Sequence, residues 1–123
     1  MARILIAEDE EALRGLCARA LQSDGHEVQT ACDGADALDA IARADGRFDL
    51  LLTDIRMPIM DGIALALAAA RDYPALTILL MTGYADQRER AHGLDAIIHD
   101  VINKPFSVDQ IKGAVREALL ARY

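Results

Sequence analysis

Cysteine is scarce in this chain of 123 residues: there are two, and Cys17 and Cys32 form neither a CxxC pair nor a Cys/His cluster with ligand spacing. A thiolate metal site is thereby excluded, and both are expected to be reduced, buried thiols. Basic residues are in the minority, 13 Lys and Arg scattered among 20 Asp and Glu, for a net charge of −7. A nucleic-acid surface needs clustered positive charge, so no direct nucleic-acid partner is expected. No apolar run approaches the roughly 18 residues of a membrane span. Nor does the chain open with a basic segment, an apolar stretch and a cleavage site. No membrane partner and a cytoplasmic location are expected. Repeats, low-complexity stretches and linkers are missing too, and the length suits one domain, 1–123, with 53% hydrophobic residues to build its core.

What is present is a set of short apolar runs, four of which stop on polar residues of different chemical kinds. Ile4-Leu5-Ile6-Ala7 stops on Glu8-Asp9, Leu50-Leu51-Leu52-Thr53 on Asp54, Ile78-Leu79-Leu80-Met81 on Thr82, and Val101-Ile102-Asn103 on Lys104. Runs of this kind alternate five times with helical patterns, which predicts parallel strands joined by crossover helices. The strands are expected near 3–7, 27–31, 48–53, 76–81 and 101–103. Three runs are almost continuously apolar, as strands buried on both faces should be; Glu27-Val28-Gln29-Thr30-Ala31 alternates and suits an edge.

The helical segments carry their own signatures. Leu13, Leu16, Cys17, Ala20 and Leu21 repeat on one face, broken after by Asp24-Gly25. Asp33 is a suitable N-cap for a helix burying Ala37, Leu38 and Ile41. Ser107 and Gln110 have capping-box spacing ahead of a stripe of Val108, Ile111, Val115, Ala118 and Leu119. Between them, 63–70 is eight consecutive apolar residues, read as an alanine-rich helix packed on the sheet.

Parallel strands bring their carboxyl ends together, where open α/β sheets bind ligands. Glu8, Asp9, Asp54 and Lys104 would then cluster with a formal charge of −2. Close like charges raise one another's pKa unless something compensates. A divalent cation would compensate, and an all-oxygen donor set without His or Cys favours Mg²⁺. Asp54 then reads as a carboxylate able to form an acyl phosphate. Lys104 and the Thr82 hydroxyl would engage phosphoryl oxygens, with Gly83 leaving room beside the backbone. Any one of these residues alone is better read as a cap, strand end or turn; four together at strand ends point to a site.

With those residues assembled, the chain resembles the receiver domain of bacterial response regulators, the CheY-like family, over its whole length. The resemblance is carried by 4–10 (ILIAEDE), 52–62 (LTDIRMPIMDG), 81–85 (MTGYA) and 104–106 (KPF). It implies a three-layer doubly wound (βα)5 fold whose five-stranded parallel sheet has the order 2-1-3-4-5, an order for which CheY is itself the standard example. By the same resemblance Asp54 is the phosphoacceptor, Glu8 and Asp9 are the acidic pair for Mg²⁺, and the backbone carbonyl of Arg56 completes the protein ligands. Thr82 matches the switch hydroxyl and Lys104 the phosphoryl-contacting lysine, with a cis peptide expected at Lys104-Pro105.

The implied partners are a sensor histidine kinase or phosphotransfer protein as donor and a downstream protein target. The implied output is changed protein binding or onward phosphotransfer rather than enzymatic turnover, and no output domain is expected after the fifth helix. The sequence departs from the family at Val101, where an aromatic residue usually couples to the switch hydroxyl. Tyr84 either replaces that aromatic or covers the loop. The segment 85–100 also lacks the usual Gly-Ala-Asp step. His26, His92 and His99 are expected at the surface, outside the cluster.

Other classes fit less well. A degenerate receiver acting as a scaffold, for example an adaptor in regulated proteolysis, would not need every site position filled. An aspartyl-phosphate phosphatase of the haloacid dehalogenase type usually has a second Asp where Arg56 stands. A flavodoxin would need a phosphate loop where Glu8-Asp9-Glu10-Glu11 would repel the phosphate.

Overall fold

The computed structural model describes residues 1–121. Five strands, β1 (Arg3–Ala7), β2 (Glu27–Ala31), β3 (Leu50–Asp54), β4 (Thr77–Thr82) and β5 (Asp100–Asn103), alternate with α1 (Glu11–Ser23), α2 (Gly34–Arg43), α3 (Gly62–Asp72), α4 (Ala85–Ala91) and α5 (Val108–Ala121). A single 3-10 turn, His92–Leu94, follows α4. All strand pairs are parallel and the order is β2-β1-β3-β4-β5, as expected. The chain turns outward from β1 in both directions, and this reversal creates the crevice at the carboxyl ends of β1 and β3.

Strand periodicity divides the core in two. On one face Leu5, Leu51 and Leu80 pack with Ala37, Ile41, Leu65 and Ala69 of α2 and α3. On the other, Ile4, Ile6, Leu52 and Leu79 pack with Cys17, Leu21, Ile111 and Val115 of α1 and α5. Each fully buried leucine or isoleucine contributes about 1.5–3 kcal/mol of burial, so the middle of the sheet is the rigid part. β5 is different: it is an edge strand of four residues, none fully buried.

Several helix starts are built as their sequence suggests. The Asp33 carboxylate accepts from the Asp36 N–H at 2.8 Å, and Asp61 does the same for Ala64 at 2.9 Å. Ser107 and Gln110 exchange side-chain-to-backbone bonds of 3.0 and 2.7 Å, a complete capping box. The alanine-rich helix extends over 62–72 and leaves Leu67 half exposed.

The structure corrects other expectations. β3 starts at Leu50 rather than at Phe48 and β4 at Thr77 rather than Leu76, so Asp54 and Thr82 are the last residues of their strands. Leu16 and Val108 lie at the margins of their apolar stripes and are more than a third exposed. Cys17 is buried, but Cys32 is exposed because it follows the edge strand, where its N–H bonds to the Asp36 carboxylate. His26 is not a surface residue: only 10% of its side chain is exposed, and Nδ1 accepts from the Ala2 N–H at 3.2 Å. His92 and His99 are exposed, as expected.

Close packing also shapes the loop after β3. A Cβ at Gly62 would sit 2.0 Å from the Asp54 carbonyl oxygen, so only glycine lets α3 start against the end of β3. Ile59 has φ +70° while 84% exposed, a conformation that is strained for a β-branched residue.

Candidate functional site

β1 and β3 end side by side, and their last residues and the loops beyond them bring three carboxylates together. Glu8, Asp9 and Asp54 each offer an oxygen, and these oxygens all lie within 4.8 Å of one another. Glu8 and Asp54 are buried and Asp9 is exposed. From the end of β5, the Lys104 Nζ donates to Glu8 Oε1 at 2.8 Å and contacts Asp54 Oδ2 at 3.0 Å. The peptide bond after it, Lys104-Pro105, is cis, as the resemblance implied.

Glu8 is held from several sides. Its Oε2 accepts from the Glu10 N–H at 3.1 Å, and its backbone carbonyl accepts from Arg14 Nη1 at 2.9 Å. Burial pushes the Glu8 carboxyl up from 4.5 to about 7, although the hydrogen bonds from Lys104 and the Glu10 backbone pull the other way. Burial therefore favours the neutral form of Glu8 and works against the formal cluster charge of −2. Burial opposes the Lys104 charge, yet its bonds to Glu8 and Asp54 prevail and raise its pKa.

These residues line an open cleft of about 810 Å³. Its acidic end is formed by Glu8, Asp9 and Asp54, and its apolar wall by Leu13, Leu16 and Phe106, with Arg56, Gly83 and Tyr84 also lining it. Leu16, expected to face the core, is part of this wall. Arg56 extends its guanidinium over the Tyr84 ring, 4.9 Å from the centroid. Tyr84 is half exposed, with the Arg56 guanidinium stacked on its ring. Gly83 is not sterically required: a Cβ there would meet Lys104 Cβ at an ordinary 3.6 Å.

Thr82 is buried and its hydroxyl is occupied. Oγ1 accepts from the Tyr84 N–H at 3.1 Å and lies 3.4 Å from the Tyr84 carbonyl oxygen. Contact with a phosphoryl oxygen would require exchanging these bonds. Val101 is half-buried on β5; its N–H bonds to the Asp100 carboxylate and its carbonyl accepts from Arg88 of α4. Sequence reading missed Arg14 and Arg88, since arginines on exposed helix turns carry no signal of where their guanidinium groups reach.

The donor set suits a hard divalent cation: three convergent carboxylates, all oxygen, one of them exposed enough to exchange solvent. Glu8, Asp9 and Asp54 are the residues that would hold Mg²⁺. The arrangement as a whole offers a carboxylate oxygen on Asp54 at the edge of a cleft, with an ammonium group poised beside it.

Comparison with known proteins agrees with this geometry. Residues 4–116 match the family model described as the response regulator receiver domain. The chain is 38% identical over 120 residues to the response regulator MprA of Mycobacterium avium, covering 98% of this chain and 51% of that protein. It thus spans about half the length of the curated relatives it matches. Among solved structures, chemotaxis protein CheY4 of Vibrio cholerae superposes with a TM-score of 0.85 at 28% identity, covering 96% of this chain and 98% of the other. TrrA of Thermotoga maritima, solved in complex with Mg²⁺-BeF, gives 0.84 at 30%, covering 96% and 99%.

Proposed function

The chain belongs to the response regulator receiver domain family of two-component systems, and on that premise we propose that Asp54 accepts a phosphoryl group from phosphohistidine with Mg²⁺ held by Glu8, Asp9 and Asp54. Receiver domains are phosphorylated by histidine kinases, so the donor is a sensor kinase or a phosphotransfer protein. The observation that carries this reading is the placement of Lys104 Nζ within 3.0 Å of both Asp54 and Glu8, beside a third carboxylate, at the edge of an open cleft.

An Asp54 carboxylate oxygen attacks phosphorus in line with the departing imidazole nitrogen. A P–O bond forms, the P–N bond breaks, and its electron pair stays on the imidazole. Lys104 shifts part of its attraction from the carboxylates to a phosphoryl oxygen, meeting negative charge as it moves. The metal, when bound, supplies neutralisation of carboxylate and phosphoryl charge. Leu13, Leu16 and Phe106 give the donor an apolar surface beside the acceptor. Thr82 exchanges its bonds to the Tyr84 backbone for the new oxygen, and the segment leading into α4 responds.

The signal is then a change in protein binding or onward phosphotransfer, and the acyl phosphate is lost slowly rather than turned over. Location in the cytoplasm suits a donor of this kind, and no helix among the described residues is long and apolar enough to cross a membrane. The test is transfer of labelled phosphate from an autophosphorylated histidine kinase in the presence of Mg²⁺. Wild type should take up acid-stable, base-labile label and Asp54→Asn should take up none; equal labelling of the two would remove Asp54 as acceptor.

A further inference from the structure

β5 is poorly equipped to place Lys104. It is short, paired on one side only, and none of its four residues is fully buried. Its ammonium group nevertheless sits between two carboxylates at 2.8 and 3.0 Å. A closed circuit of bonds explains how that accuracy is kept. The Tyr84 N–H donates to the Thr82 hydroxyl at 3.1 Å, and the Arg88 N–H donates to the Tyr84 carbonyl at 3.1 Å. The Arg88 Nη1 then donates to Asn103 Oδ1 at 2.8 Å and to the Val101 carbonyl at 3.3 Å. Asn103 is bonded covalently to Lys104, whose N–H returns to the Thr82 carbonyl at 2.8 Å.

Every member of that circuit except Arg88 belongs to the strand ends or to the loop joining them. α4 contributes the cross-link, and it reaches the outer edge of β5, where Val101 offers only aliphatic bulk. Arg90 in turn ties α4 to the loop after β3 through Asp61 at 3.0 Å. The helix that carries Arg88 is thereby linked to the loop that follows the acceptor strand.

We propose that Arg88 is a positioning residue for phosphoryl transfer, acting through Asn103 to hold Lys104 against Asp54 and to couple it to the Thr82 hydroxyl. The inference rests on the reading of Asp54 as phosphoacceptor and Lys104 as its cation. A displacement of about 1 Å in a reacting constellation can cost up to 100-fold in rate, and a cross-link of two exposed hydrogen bonds controls a fraction of that.

The experiment measures phosphorylation of the full chain by acetyl phosphate at saturating Mg²⁺, together with the Mg²⁺ dissociation constant by calorimetry. Arg88→Ala should lower the phosphorylation rate about fivefold and leave Mg²⁺ affinity within about twofold, since Glu8, Asp9 and Asp54 lie outside the circuit. Arg88→Lys, which keeps a charged donor, should recover part of the rate. In a Lys104→Met background Arg88→Ala should have no further effect. An unchanged rate, an equal loss in the Lys104→Met background, or a parallel loss of Mg²⁺ affinity would overturn the proposal. If wild type takes up phosphate neither from acetyl phosphate nor from the autophosphorylated histidine kinase, the functional reading falls with it; if wild type is labelled and Arg88→Ala behaves identically, only the role of Arg88 falls.

Discussion

Removing the Lys104 ammonium group while keeping its aliphatic stem, as in Lys104→Met, should expose the electrostatic cost on which the site is built. In the metal-free protein this cation is bonded to a Glu8 carboxylate that is 1% exposed and to Asp54, whose side chain is 10% exposed. Breaking a fully buried ion pair from one side costs about 3–5 kcal/mol. Here the lysine side chain is 20% exposed and solvent screens part of the field, so about 2–3 kcal/mol is expected near pH 8. For a domain of this size that corresponds to a fall in Tm of about 10 °C.

The sign of the pH dependence separates this cause from lost packing. Glu8 is raised in the folded state to about 7 from an ordinary 4.5, with burial as the main cause. A raised carboxylate favours the fold fully below its unfolded value, and that advantage is lost as pH rises through the folded value. The window is therefore about 4.5 to 7 in the parent protein and extends upward once Lys104 no longer favours the charged form. Urea unfolding in EDTA should show a small penalty for Lys104→Met at pH 5.5, where Glu8 is protonated, and the full penalty at pH 8. Glu8→Gln in the same background should restore more than half of the loss. Equal penalties at the two pH values, or a penalty below about 1 kcal/mol at pH 8, would refute the reasoning.

Four further outcomes follow from local geometry. Gly62→Ala should cost about 2–3 kcal/mol in chemical denaturation, because its Cβ would press on the Asp54 backbone, and should slow phosphorylation. Gly113→Ala, in an exposed turn of α5 with nothing within 4 Å of the new Cβ, should stabilise by about 0.5–1 kcal/mol. Ile59→Gly should raise stability by about 1 kcal/mol by releasing the positive φ at little loss of burial, as read by thermal unfolding. Asp9→Asn should weaken Mg²⁺ binding at least about tenfold by calorimetry, with Tm of the metal-free protein within about 2 °C because Asp9 is exposed.

Much of the architecture was legible because its cause is local. Apolar runs of strand length separated by helical stripes dictate parallel pairing, and Asp33, Ser107 and Gln110 cap helices within three residues of themselves. The grouping of Glu8, Asp9, Asp54 and Lys104 was legible for a different reason: each stands at or just beyond the carboxyl end of a strand, and strand order alone brings those ends together. The misreadings are equally physical. Leu16 and Val108 sit at the margins of their stripes, where periodicity cannot tell a core contact from a cleft wall. His26 was expected at the surface because it lies outside the cluster, but pairing of β1 with β2 carries the Ala2 N–H to its ring.

By itself, then, the sequence determined the alternation of elements, the family, and which chemical groups meet at the end of the sheet, since these depend on periodicity and on short motifs. Tertiary structure alone decided how those groups interact. Burial raises the Glu8 carboxyl well above the ordinary range, Lys104 bridges carboxylates from two other strand ends, and Thr82 turns its hydroxyl to the Tyr84 backbone. The Arg88 contact with Asn103 joins residues 15 positions apart. Dielectric environment and the reach of a long side chain are properties of the packed chain, and no local pattern of residues encodes them.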